Sequence, residues 1–182
     1  MKLPKIGQVR LKQHRSVPSE YRLKSVTVSQ TPSGKYYASI LFEYEDQVEE
    51  KKLQKFLGLD FSMYELYRDS NGKEPAYPGY YSNAEKKLAR EQRKLSKMQK
   101  GSNNRNKQRL KVAKLHEKVS NQRKDFLHKW SRQTTNAYDC VCIEDLDMKA
   151  MLRSLNLGKS VSDNGWGMFI TFLKYKLEEC GW

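Results

Sequence analysis

Two carboxylates, Asp60 and Glu144, each follow directly after a short apolar stretch of the sequence. Asp60 follows residues 56–59 (FLGL), and Glu144 follows residues 141–143 (VCI). Open α/β sheets carry their chemistry at the carboxyl ends of central strands. Carboxylates that meet there repel one another unless a cation lies between them, and oxygen ligands suit magnesium. The pair indicates a divalent-metal site, although a carboxylate after a strand can also be a helix cap or a loop anchor.

The overall charge indicates a polyanionic partner. The chain has 182 residues, with 35 Lys and Arg against 21 Asp and Glu and a formal net charge of +14. Nucleic acid is the commonest partner of such a protein, with an acidic membrane surface as the alternative. No apolar run is long enough for a transmembrane helix, and the N-terminus lacks the apolar centre of a signal peptide. We therefore predict a cytoplasmic protein that has no membrane partner.

The positive charge is concentrated between residues 85 and 129, which contain 16 Lys and Arg and four Asp and Glu. Steps of three and four place many of these cations on one face of each of two predicted helices. A solvated helix face usually carries both signs, because like charges four residues apart repel. A phosphate backbone would offset that repulsion, so we predict nucleic-acid contact rather than simple solubility. The predicted contacts are Lys86, Arg90, Arg93, Lys97, Lys100, Lys107, Lys111, Lys114 and Lys118.

The elements that must position these groups form three blocks. Residues 1–50 read as β-structure, with strands at 22–29 and 35–44 joined by a turn and a further strand near 8–12. Residues 51–80 hold strands at 54–59 and 63–68, followed by an Asn-Gly pair that favours a type I′ turn. Residues 82–137 form an antiparallel helical hairpin that Ser82 or Asn83 caps. The second helix carries a predicted packing stripe of Val112, Leu115, Val119, Gln122, Phe126, Trp130, Thr134 and Ala137.

Two further groups of residues have a structural interpretation. Asp163 precedes an Asn-Gly pair and is interpreted as a helix cap rather than a metal ligand. The three cysteines are an odd number without CxxC spacing, which predicts neither a disulfide nor a zinc site. Cys140 and Cys142 are expected to point to opposite faces of one strand.

Four stretches together resemble the TnpB (OrfB) proteins of bacterial insertion sequences, which are described as putative transposases. They are LGLDFS from residue 57, the long string from Ala84 to Ser131, VCIEDL from residue 141, and SDNGWGMF from residue 162. The resemblance is strong over residues 54–182 and weaker over the N-terminal β-region.

The resemblance implies an α/β fold with an RNase H-like (RuvC) core, interrupted by the basic helical hairpin. It divides the chain into a wedge-like or barrel-like module over residues 1–50 and a partial nuclease core over 51–182, with the hairpin inserted at about 82–137. Asp60 and Glu144 match two of the family's three catalytic, metal-binding carboxylates, so Mg²⁺ is the implied cofactor. DNA and a guide RNA are the implied partners, and the N-terminal module is implied to contact the guide.

The chain departs from the family pattern at both ends. Family members continue into a four-cysteine zinc ribbon and then a third catalytic Asp, and they carry more N-terminal sequence. The resemblance therefore implies a chain truncated at both ends, with zinc belonging only to the absent ribbon. The predicted function is a fragment of an RNA-guided, metal-dependent DNA endonuclease that does not cleave by itself. The alternative is a catalytically dead remnant that binds nucleic acid.

Overall fold

The computed structural model describes residues 2–14, 16–45, 52–147, 163 and 165–179. These residues form a mixed α/β protein with three small sheets and three helices. They divide into two compact units, an N-terminal unit of residues 1–31 and 35–47, and a C-terminal unit of residues 48–182 together with residues 32–34. In the part of the chain that is described, no helix is both long enough and apolar enough to cross a membrane.

The N-terminal unit contains two antiparallel ribbons. The first pairs β1 (Lys2–Leu3) with β2 (Gly7–Gln8), and the second pairs β3 (Arg22–Gln30) with β4 (Tyr36–Glu43). The predicted hairpin is therefore confirmed. The strand expected near 8–12 is largely wrong, because pairing ends at Gln8 and the residues after it line a cavity beside the hairpin.

The C-terminal unit is built on a three-stranded sheet of order β6-β5-β7. The central strand β5 (Phe56–Phe61) runs antiparallel to β6 (Tyr67–Asp69) and parallel to β7 (Cys140–Ile143). The whole helical hairpin lies between β6 and β7 in the sequence, and yet β7 pairs directly with β5. The two apolar stretches that end in Asp60 and Glu144 are therefore neighbouring strands of one sheet.

Strand and turn boundaries differ from the predicted ones. β5 continues to Phe61, and β6 begins only at Tyr67 rather than at residue 63. The chain does turn at Asn71-Gly72, where Gly72 adopts φ 79°. A type I′ turn is nevertheless wrong, because that turn needs positive φ at both central residues and Asn71 does not have it. The Asp69 carboxylate accepts hydrogen bonds from the amides of Asn71 and Lys73 at 2.9 and 2.8 Å, which stabilises a different local turn.

The helical hairpin consists of α1 (Tyr80–Lys97) and α2 (Asn103–Ala137). Its helices are antiparallel, because the short connection 98–102 joins two helices that pack side by side, with Glu91 of α1 contacting Gln108 and Lys111 of α2. The predicted cap at Ser82 or Asn83 is wrong, because α1 begins at Tyr80, after Gly79 in the left-handed conformation. The last described helix is α3 (Trp166–Glu178).

The hydrophobic core lies on one side of the sheet, beneath the C-terminal half of α2 and α3. Its buried members are Leu57, Leu59, Leu66, Tyr67, Leu127, Trp166, Phe169 and Leu173. The predicted α2 stripe is wrong at Gln122 and Ala137, which are exposed, while Leu127 and Ser131 are buried. The buried face of α2 differs from the predicted stripe because α3 also packs against it. The periodicity of the α2 sequence alone does not show which second element covers the helix.

Close packing of α2 against the start of α3 depends on Gly165. This residue has φ 75°, and a Cβ placed there would lie 3.1 Å from Leu127 Cδ1 and 3.2 Å from Arg123 Cδ. Glycine is therefore needed both for its backbone conformation and for the space it leaves.

β7 presents alternate side chains to the two sides of the sheet. Val141 and Ile143 pack against the core, whereas Cys142 lines a cavity. Residues two apart on a strand share a face, so Cys140 lies on the side of Cys142. The expectation that the two thiols point to opposite faces is wrong for this reason.

Candidate metal-binding and nucleic-acid-binding sites

Asp60 lies on the side of the sheet that faces away from the core. Along β5, Leu57 and Leu59 are buried, whereas Gly58 and Asp60 point to the other side and Asp60 is exposed. The apolar stretch therefore has a core-facing half and an outward half, and the carboxylate belongs to the outward half. The alternation of side chains along β5 therefore places Asp60 on the side of the sheet that faces away from the core.

The parallel register of β5 and β7 brings Glu144 to the same place. Leu59 pairs with Ile143, so the next residues along the two strands are Asp60 and Glu144. Neighbouring strands lie about 4.8 Å apart. Both carboxylates line one open cavity of about 470 Å³. Its lining residues are Gly58, Leu59, Asp60, Arg68, Asp69, Ser70, Cys142, Ile143 and Glu144.

Only two of the cavity's three carboxylates are available to a cation. Asp69 is 8% exposed and pairs with the buried Leu59, and its Oδ1 accepts the turn amides of Asn71 and Lys73, so its carboxylate is engaged by the turn. Within the described ranges, no group of three or more His, Cys, Asp or Glu could hold a metal ion. The cavity thus offers two hard oxygen ligands, which fits a magnesium ion that keeps much of its octahedral shell as water.

The β6 side of the cavity contributes a cation and a hydroxyl that sequence analysis missed. Arg68 pairs with Asp60 across the sheet and forms an ion pair with Glu74. Ser70 Oγ accepts the Gly58 amide at 3.2 Å. No local motif marks either residue, because their relation to Asp60 arises only from the pairing of two strands.

All nine predicted cationic residues of the hairpin are exposed, and we call them together the basic hairpin surface. The two rows adjoin at one point, because Arg90 from α1 and Lys111 from α2 both reach the Glu91 carboxylate, at 3.5 and 3.1 Å. The helix pair therefore presents a joined cationic surface rather than two separate rows.

Glu91 is the buried carboxylate at the centre of this surface. Its side chain is 1% exposed and accepts a hydrogen bond of 2.8 Å from Gln108. That bond and the one from Lys111 lower the pKa of Glu91 to about 2, against an opposing contribution from burial. Glu91 therefore stays ionised and holds the two helices together through Gln108 and Lys111.

The hairpin is expected to lose stability in acid through Glu91. A carboxylate with a lowered folded-state pKa stabilises the protein above its unfolded pKa, here 4.5, and loses that effect as the pH falls toward about 2. The thermal midpoint, followed by circular dichroism, should therefore drop between pH 4.5 and 2. In Glu91→Gln this part of the drop should be missing. An identical pH profile in the two proteins would contradict the assignment.

Asp163 connects three separate segments of the C-terminal unit. Its carboxylate accepts the α1 amides of Tyr81 and Ser82 at 3.0 and 3.1 Å and the Ser82 hydroxyl at 3.1 Å. It also forms an ion pair of 3.0 Å with Arg123 of α2, and its backbone carbonyl accepts the Tyr77 hydroxyl. A capping role is thus observed, but for the start of the distant helix α1, whereas α3 has no side-chain cap.

Loss of Asp163 should destabilise the protein strongly. Asp163→Ala leaves Arg123 without its partner and uncaps α1, and removing one partner of a buried pair costs about 3 kcal/mol or more. The free energy of unfolding in urea measures the effect. Asp125→Ala is the matched control, because the Asp125–Lys129 pair is 64% and 70% exposed and should contribute no more than about 1 kcal/mol. Equal losses in the two variants would contradict the role of Asp163.

The N-terminal unit has a second basic site that sequence analysis did not define by residue. An open cavity of about 530 Å³ is lined by Arg10, Lys12, His14 and Lys35 and by two exposed aromatic residues, Tyr36 and Tyr37. Its lining contains no acidic residue. Cations beside exposed aromatic rings suit single-stranded nucleic acid, because the rings stack on bases while the cations hold phosphates.

The fold and these sites define a class of protein: a mixed α/β protein with a carboxylate pair at adjacent strand ends and an inserted basic helical hairpin. Comparison with known families agrees with that class. Residues 39–155 match the family described as "Probable transposase", OrfB_IS605. The chain belongs to this TnpB/OrfB family.

Two curated relatives illustrate the relationship. The chain is 32% identical over 168 residues to a Streptomyces pristinaespiralis protein named "Putative RNA-guided DNA endonuclease". It is 34% identical over 189 residues to the Escherichia coli K12 protein "Putative RNA-guided DNA endonuclease InsQ". These alignments cover 92% and 96% of this chain, but only 41% and 46% of the two relatives. The chain therefore spans less than half the length of the relatives it matches.

Proposed function

We propose that this chain is part of a transposon-encoded, RNA-guided, metal-dependent DNA endonuclease. The observation that carries the proposal is the meeting of Asp60 and Glu144 at the ends of two paired parallel strands, in one open cavity. Family membership and the names of the two relatives support the same function.

The proposed core is RuvC-like, with an RNase H-like fold over residues 51–182 and the basic hairpin inserted at about 82–137. A central strand that is antiparallel to one neighbour and parallel to the other, with helices on one side, is compatible with such a core. Residues 1–50 are proposed to form the wedge-like or barrel-like module, to which the β3–β4 hairpin contributes.

Asp60 and Glu144 are the residues that would hold magnesium. Their oxygens suit a hard cation, and their position on the outward side of the sheet leaves room for a nucleic-acid strand above them. Bound magnesium would supply Lewis-acid stabilisation of the charge that develops on a phosphodiester during hydrolysis. The chain's own contribution is to fix the two carboxylates by the β5–β7 register and to keep Arg68 beside them.

The proposed partners are DNA and a guide RNA. The basic hairpin surface supports phosphate contact that does not depend on base sequence. The cavity of the N-terminal unit, with its cations and two tyrosines, supports contact with the guide RNA.

One observation favours the second candidate, a nucleic-acid-binding module that does not cleave. In the part of the chain that the structure describes, no third carboxylate joins Asp60 and Glu144 in a metal-binding group. The basic hairpin surface serves either function, so binding alone does not distinguish them.

Magnesium-dependent cleavage of a guide-matched DNA distinguishes the two candidates. The parent sequence, completed with the remaining segments of the E. coli relative, is compared with variants that lack either carboxylate. Cleavage that depends on Asp60 and Glu144 supports the endonuclease. Nucleic-acid binding without any cleavage by the completed parent supports the binding module.

A further inference from the structure

The two thiols on β7 form a pair beside the candidate metal cavity. Cys140 and Cys142 are both free and lie on the outward side of the strand, where Cys142 is exposed and lines the cavity. Their side chains also interact. The pKa of the Cys140 thiol is raised first by burial, and then by the charge of Cys142 and a side-chain hydrogen bond with it.

The spacing of this pair favours a bridging ion over a disulfide. Two residues along a strand span about 6.6 Å between Cα atoms, which is close to the upper limit of about 6.8 Å for a disulfide. Two metal–sulfur bonds of about 2.3 Å each span up to about 4.6 Å. Side chains leaning toward each other from that Cα separation reach such a distance without moving the backbone.

The surroundings select the type of ion. Across the sheet, Cys142 pairs with Gly58, whose missing side chain leaves the sulfur accessible. Because the described residues offer no group of three or more His, Cys, Asp or Glu, the pair does not resemble the closed four-ligand site of structural zinc. Two sulfur ligands without a third such ligand among the described residues suit a soft cation such as Cu(I), whereas the carboxylates of the same cavity suit a hard one.

We propose that Cys140 and Cys142 together bind one soft monovalent cation of the Cu(I) type at the wall of the cavity that contains Asp60 and Glu144. The cavity then has two chemically distinct sites. A hard divalent ion takes the oxygens and a soft ion takes the sulfurs. The proposal does not depend on the proposed nuclease function, because it rests on the geometry of β7 and on the ligand chemistry of the two thiols.

The test is competition for Cu(I) with the chromophoric chelator bicinchoninate, under anaerobic and reducing conditions. The 182-residue parent should withdraw one equivalent of Cu(I). Cys140→Ser and Cys142→Ser should each weaken binding on the order of a hundredfold, because a chelating pair becomes a single ligand. Cys180→Ser is the matched control and should bind as the parent does. Excess Mg²⁺ and the Asp60→Ala substitution should leave Cu(I) binding unchanged.

Other outcomes would overturn the proposal. Parent-like binding by either strand variant would show that the two thiols do not act together. Loss of binding in Cys180→Ser would place the ion elsewhere, and displacement by Mg²⁺ would show that oxygen ligands hold it. Cys140→Ala and Cys142→Ala repeat the comparison with a different side chain, and circular dichroism of all variants shows whether the fold is kept.

Discussion

Alanine at Asp60 or at Glu144 is expected to abolish magnesium-dependent cleavage of guide-matched DNA. The protein for this test is the present chain completed with the remaining segments of the E. coli relative. Each substitution removes one of the two carboxylates that the β5–β7 register places in the cavity. Since loss of an outer-shell partner of a metal ligand already costs about 10–100-fold, loss of a ligand should exceed about a hundredfold. The fraction of DNA cut per unit time, with and without magnesium, measures it.

Two controls make this result specific to the site. Asp125→Ala removes an exposed carboxylate of α2 and should leave cleavage unchanged. RNA binding by Asp60→Ala should stay close to that of the parent, because the basic hairpin surface is intact. Cleavage that survives Asp60→Ala would show that the active site lies elsewhere.

The 182-residue chain by itself is expected to show no robust cleavage. Two-metal phosphoryl chemistry uses carboxylates on both ions, and in the described part of the chain Asp60 and Glu144 form no group with a third such ligand. Magnesium-dependent cutting by this chain that disappears in Asp60→Ala would show that two carboxylates suffice.

Nucleic-acid binding by the chain is expected to depend steeply on salt and on the basic hairpin surface. If six phosphates are engaged, affinity should fall on the order of a thousandfold between 50 and 200 mM salt. Reversing two charges, as in Arg93→Glu with Lys97→Glu, should weaken binding on the order of a hundredfold or more at low salt. It should also reduce the salt slope by about two. Fluorescence anisotropy with labelled RNA and DNA measures both quantities.

Arg93 and Lys97 suit this test because they lie one helical turn apart and are exposed. Arg90 and Lys111 are less suitable, since both contact Glu91 and their loss would also disturb the helix pairing. The matched control reverses Lys124 and Lys174, two exposed lysines outside the surface. It changes the net charge equally, so equal weakening would show that only the overall charge matters. Salt-insensitive binding would contradict phosphate contact altogether.

Elements with a strong local signal were predictable from the sequence. The β3–β4 hairpin follows from β-branched and aromatic runs around a Pro-Ser-Gly turn, and α1 and α2 follow from helix periodicity. Asp60 and Glu144 were candidates because a carboxylate ends each apolar run, and VCIEDL and the hairpin string carried the family resemblance. In each case, the pattern that supports the prediction lies within a single segment of the sequence.

The tertiary structure decided how distant segments combine. Glu91 is buried in the hairpin because α2 contributes the Lys111 that pairs with it. Arg68 lies beside Asp60 because β6 pairs with β5. Asp163 caps α1 from a position 82 residues further along the chain than Tyr81. Periodicity describes how one segment exposes its faces, but burial and hydrogen bonding depend on the partner that covers each face. That is why the carboxylates could be named from the sequence, while the cavity they share required the parallel pairing of β5 with β7.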